Sequence, residues 1–140
     1  MTMKGERSFL HDTEGMTTLE FALVLPLVLL LLFGTMDMLR YVWARNTTVA
    51  AAVEAAETGA LRTTTDEEIR LAAERILAPS GLSASSLVIT RETAVVPPVI
   101  TVRITVDFSY IVLPGFLTSM VGARVIDITK RSVMGPEESS

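Results

Sequence analysis

The chain has 140 residues, enough for one small folded domain. Its formal net charge is −4 with no basic cluster, which argues against a nucleic-acid surface, and the absence of cysteine excludes disulfides and thiolate metal sites. An apolar fraction of 49% and a mean hydropathy of +0.46 are high for so short a chain, and the excess is gathered near the N-terminus.

Met1–Gly15 is short and polar and reads as a tail. Phe21–Met36 is a run of sixteen residues without charge; extended back to Met16 it holds twenty-one residues and one charge, Glu20. As a helix those residues span roughly 31 Å, the thickness of a bilayer's hydrocarbon core. Twelve Leu, Val or Phe lie between Leu19 and Phe33. Together they favour insertion by about 4 to 7 kcal/mol, against at most about 3 kcal/mol from Glu20, which sits near an end. A transmembrane helix over 16–37 is therefore expected. Pro26 is compatible with it, because membrane helices tolerate proline.

Two other assignments fit an apolar helix. A buried core helix would need more cover than a domain of this size supplies on all faces. A cleaved secretory signal has a shorter apolar region followed by small residues, whereas Asp37, Met38, Leu39 and Arg40 follow here. Orientation is not encoded: Lys4 and Arg7 precede the run, and Arg40 and Arg45 follow it.

The helix is predicted to continue to about Leu61. Its second half carries Leu39, Val42, Trp43, Val49, Val53 and Ala56 at three- and four-residue steps, the spacing of one buried face. Tyr41 and Trp43 suit an interfacial aromatic belt or a core equally well. A second helix follows, capped by Thr64 or Thr65, with Asp66, Glu67 and Glu68 in its first turn and Ile69, Leu71, Ala72, Ile76 and Leu77 as its apolar stripe. Pro79 and Gly81 end it. The three acids could hold a cation, but a helix N-terminus explains them without one.

Ser83–Ser86 reads as a loop and Leu87–Ala94 as a strand, with a turn or edge at Pro97-Pro98. Val99–Val112 is the clearest strand. Ile100, Val102, Ile104, Val106, Phe108 and Tyr110 share one face, with Thr101, Arg103, Thr105, Asp107 and Ser109 on the other. Pro114-Gly115 opens a loop through Gly122, Arg124–Met134 is a third strand, and Gly135–Ser140 is a polar tail. Asp107, Arg103, Lys130 and Arg131 are expected on the solvated sheet face. The fold class is α+β: a long N-terminal helix, a short second helix, and about three antiparallel strands that the helices cover.

Catalytic arrangements are missing from this inventory. The one histidine, His11, precedes the apolar run, and no phosphate-binding glycine loop occurs. No enzyme activity, cofactor or metal is expected.

The mouth of the apolar helix carries a sharper pattern. Gly15 is followed by Met16-Thr17-Thr18-Leu19-Glu20-Phe21 and then the run. Gly, four residues, Glu and an aromatic resembles the processing site of type IV prepilins, in particular the Flp and TadE/TadF group of the tight-adherence system. Glu20–Arg45 resembles the TadE-like signature: a Glu-Phe start, a Leu-Val-Leu-Pro core, then a glycine and an acid. The Ala-rich continuation fits, as do Tyr110, Pro114-Gly115 and a final strand ending in Ser132-Val133-Met134. Met16 departs from the pattern, and so does Arg131, which precedes Ser-Val-Met.

The resemblance implies a leader over 1–15, cut by a membrane prepilin peptidase after Gly15 so that Met16 becomes the N-terminus. Glu20 then becomes the fifth residue, and Phe21 the aromatic after it; both serve pilin assembly. It implies a single-pass protein of the bacterial inner membrane with a periplasmic or extracellular α+β head over 38–134. Its partners would be other Tad pilins or pseudopilins and assembly-platform proteins, and its role that of a non-enzymatic pseudopilin. The alternative is an unprocessed bilayer anchor whose head binds a partner unrelated to pili.

Overall fold

The computed structural model describes the backbone of residues 13–111 and 125–135, with side chains from residue 18 onward. The expected leader, the loop from Pro114 through Gly122 and most of the C-terminal tail lie outside the described residues.

Helix α1 runs unbroken from Thr13 to Ala60, 48 residues, with Pro26 inside it. It has two halves of different character. From Thr18 to Met36 every side chain is exposed and only Gly34 is half-buried. From Asp37 onward one face is buried, through Asp37, Ala44, Thr48, Ala51, Ala52, Ala55, Ala56 and Gly59. These fall at three- and four-residue steps, with half-buried Tyr41 in the same row.

The buried stripe is not the one expected from the large apolar residues. Leu39, Val42 and Trp43 are exposed, Val49 and Val53 are half-buried, and only Ala56 of that set is buried. The reason is steric. The sheet already brings branched side chains to the interface, and a row of alanines lets the helix come close to them. At about 100° per residue, Leu39 stands about 200° around the helix from both Asp37 and Tyr41.

Helix α2 spans Asp66–Leu77. Thr65 caps it in a reciprocal box: the Glu68 N–H donates to Thr65 Oγ1 at 3.3 Å, and the Thr65 N–H donates to Glu68 Oε2 at 2.8 Å. Ile69, Ala72, Ala73 and Leu77 are buried. Leu71, expected on that stripe, points outward, and Ala73 takes its place. A short 3-10 turn, Ala78–Ser80, ends at Gly81, whose left-handed φ of 67° suits glycine.

Three strands follow: β1 Ala84–Glu92, β2 Val99–Asp107 and β3 Val125–Val133, antiparallel in the order β1-β2-β3. Residues 84–86 belong to β1 rather than to a loop, because the pairing with β2 extends down to Ala84–Val106. Conversely, β2 stops at Asp107, where its last partner on β3, Val125, lies. Phe108 and Tyr110 thus leave the sheet, yet Phe108 stays buried and Tyr110 half-buried. Lys130 is also corrected. Its register partner is Val102, so it lies half-buried on the inner side of edge strand β3, not on the solvated face.

The core is the layer between α1 and the sheet. Ile100, Val102, Ile104 and Val106 are fully buried, joined by Ile126, Ile69, Leu77 and the alanines of α1. Gly59 sits where the layers come closest: a Cβ there would overlap Ile100 Cδ1 and lie 2.9 Å from Ile69 Cδ1. The outer sheet face is polar. Arg103 grips Asp127 in bidentate fashion, Nε at 2.9 Å from Oδ1, and Arg131 reaches Glu92 at 3.1 Å. Arg103 holds the Asp127 carboxyl below its ordinary range, chiefly by that hydrogen bond.

Candidate functional site: the apolar helix and its junction with the head

The first half of α1 has nothing packed on it among the described residues. Its most apolar window has a mean hydropathy of 2.3, and none of that window is buried. In water this surface would be a severe liability, whereas in a bilayer it is solvated. The helix meets the length and composition for crossing a membrane, and among the described residues nothing buries it as a core helix would be buried. Helical hydrogen bonding satisfies the backbone throughout this half, as a lipid-exposed segment requires.

Gly15 and Met16 lie in the first turn of α1, with side chains outside those described. Glu20 and Phe21 are exposed on the helix surface, Phe21 at 66%. Glu20 has no ion pair among the described residues. The structure therefore keeps the expected processing and assembly residues together at the N-terminal end of α1, far along the helix from the head.

The junction gives a structural role to Asp37, the acid that follows the glycine in the TadE-like pattern. Asp37 is fully buried although it follows directly on the apolar run. Its Oδ1 accepts a hydrogen bond from Arg40 Nη1 at 3.2 Å and another from the Ile111 N–H at 3.3 Å. Arg40 in turn lies over the Phe108 ring, 5.6 Å from its centroid. Phe108 packs edge-on against Tyr41 at 5.4 Å and Tyr110 at 5.2 Å. Burial, then Tyr41 and Asp37, push the Tyr110 hydroxyl above its ordinary range. An acid with Arg three residues later, at the end of an apolar run, was the available signal. What sequence could not supply was the partner from beyond β2.

This junction joins a helix to a sheet; it does not gather reactive groups. Among the described residues no cluster of three or more His, Asp or Glu could hold a metal ion. The arrangement defines an α+β head carried on one exposed apolar helix, compatible with a single-pass membrane anchor. Residues 15–57 match the family described as TadE-like protein. The match begins at Gly15 and ends within the Ala-rich part of α1, so the similarity covers most of this helix and none of the rest of the head. No curated protein and no solved structure matches the chain.

Proposed function

We propose that the chain is a TadE-like minor pilin or pseudopilin that is cleaved after Gly15 by a prepilin peptidase and helps assemble or prime a Flp/Tad-type adhesion pilus. It acts without catalysing a reaction. The observation that carries this reading is the TadE-like match that opens at Gly15 and runs along a helix whose first half has nothing packed on it among the described residues.

Physical chemistry gives the cleavage a purpose. Glu20 carries a charge on an otherwise apolar surface, costly in a membrane unless it is paired. Cutting after Gly15 creates an α-amine on Met16, four residues and about one helical turn away. That amine, on the same or a neighbouring subunit, is the natural partner. The apolar half of α1 then packs among other pilin helices, with the α+β head outside the inner membrane.

Sequencing the N-terminus of membrane-extracted protein tests the cleavage. The expected start is Met16, and a Gly15→Ala variant should stay full length. A chain that begins at Met1 or Thr2 overturns the processing. Deletion of the protein should abolish surface pili; intact piliation would favour the alternative, an uncut anchor whose head binds another envelope protein.

A further inference from the structure

The apolar surface of α1 does not end where the head begins. Met38, Leu39, Val42 and Trp43 are exposed by 53%, 70%, 42% and 52%. Beyond Trp43 the exposed positions turn polar or small: Arg45, Asn46, Ala50, Glu54 and Glu57. One side of the helix thus remains greasy for seven residues past Met36, about 10 Å, and then stops. The opposite side is already covered by the head from Asp37 upward.

A second element reaches the same level. After β2, the chain descends through Phe108 and Tyr110 to Ile111, whose N–H is bonded to Asp37 and whose side chain is 71% exposed. Ile111 therefore stands lower along α1 than Trp43. From Phe108 through Ala123 the sequence holds no charged residue. Trp43 on the outer side of α1 and Tyr41 and Tyr110 on the head side bring apolar rings with polar tips to this level, and Arg40 and Arg45 flank it.

We infer that the lower end of the head rests in the bilayer interface, with Leu39, Trp43 and Ile111 in the boundary between acyl chains and headgroups and Arg40 and Arg45 toward the lipid phosphates. This rests on the reading of α1 as a membrane anchor and is independent of any role in pili. A lipid surface fits better than a partner helix. A helix would need the apolar stripe to continue along α1, whereas the outward positions turn acidic at Glu54 and Glu57. Apolar surface on α1 that stops at Trp43, an exposed Ile111 at that level and arginines beside it fit a planar boundary.

Trp43 is the chain's single tryptophan, so its fluorescence reports this position directly. The full chain would be reconstituted in vesicles of mixed zwitterionic and anionic phospholipid, brominated either near the headgroup end of the acyl chain or toward its terminus. Trp43 should lose most of its emission with the shallow bromines, lose less with the deep ones, and resist quenching by aqueous iodide. In a Trp43→Phe background, Ile111→Trp should behave the same way; the Ile111 side chain is largely exposed, so the core is left intact. Leu30→Trp in that background should be quenched best by the deep bromines.

If the probe at position 30 is quenched while Trp43 or the probe at 111 is not, the anchor stands and the inference is overturned. Shielding of Trp43 from iodide without lipid quenching would mean a protein covers the band, which also overturns it. An unquenched probe at 30 removes the anchor and the inference with it.

Discussion

Asp37 accepts a hydrogen bond from the backbone N–H of Ile111, a residue 74 positions further along the chain. That contact fastens the lower end of the β2 segment to α1 at the point where the helix leaves its bare half. The carboxylate is fully buried there, and it is accompanied by Arg40 one turn above. A charge in such a place is retained when it satisfies a backbone group that would otherwise go unpaired.

Replacing Asp37 by alanine should lower the stability of the head by about 2 kcal/mol, because the Ile111 N–H loses a charged acceptor. Arg40 adds little to that cost, since it is partly exposed and can rehydrate. Asp37→Asn keeps an acceptor oxygen and should lose clearly less. Thermal unfolding in detergent micelles measures the order, and amide exchange at Ile111 locates it: exchange there should rise first in Asp37→Ala.

Gly59→Ala sets two effects against each other. Alanine favours the helix by about 1 kcal/mol over glycine. Its Cβ, however, collides with Ile100 Cδ1 and crowds Ile69 Cδ1, both on fully buried residues, and overpacking of a core costs about 1 to 3 kcal/mol. The net expectation is a modest loss of stability, and a much larger one for Gly59→Val. An unchanged or higher melting temperature for Gly59→Ala would show that the two isoleucines repack freely.

How legible the fold was depended on whether local chemistry or tertiary geometry decided each element. Alternation in β2 was readable and the cap of α2 was narrowed to Thr64 or Thr65, of which the structure uses Thr65, because pleat and capping box are local rules. The face of α1 was not. Size pointed to Leu39, Val42 and Trp43, but closeness to the sheet selected Ala44, Ala51, Ala52 and Ala55, and it left the large residues outside. The end of β2 was equally hidden, since Phe108 and Tyr110 keep the alternating pattern while packing on Tyr41 instead of pairing with a strand. At the candidate site, the roles expected of Glu20 and Phe21 come from the prepilin resemblance and stand as expectations, whereas the contacts of Asp37 needed its partner from beyond β2.

The Thr65 cap gives a pH dependence. The Thr65 N–H, then its hydroxyl, hold the Glu68 carboxyl below its ordinary range. A folded-state value below the unfolded one means the contribution is present above the unfolded value and is lost as the pH falls through the folded one. Asp127, lowered by Arg103, acts in the same direction. Stability should therefore be level near neutrality and fall below about pH 4. Thr65→Ala should cost about 1 kcal/mol at neutral pH and flatten part of the acid decline. Denaturation followed at several pH values reads both.

Glu20 separates the two functional readings. Glu20→Gln removes the charge from the apolar half of α1, so membrane insertion should become easier, by less than about 3 kcal/mol because the site is near the helix end. The protein should remain in the membrane fraction. If the carboxylate pairs with the α-amine released at Met16, the variant keeps its anchor but loses the pairing that seats it against neighbouring helices, and pili should be lost or sharply reduced. If the chain is an uncut anchor, Glu20 merely reaches toward the headgroups, and Glu20→Gln should leave piliation as it was. Electron microscopy of surface pili beside membrane fractionation of the same cells decides between them: an intact membrane fraction with pili at the unmodified level would overturn the assembly role.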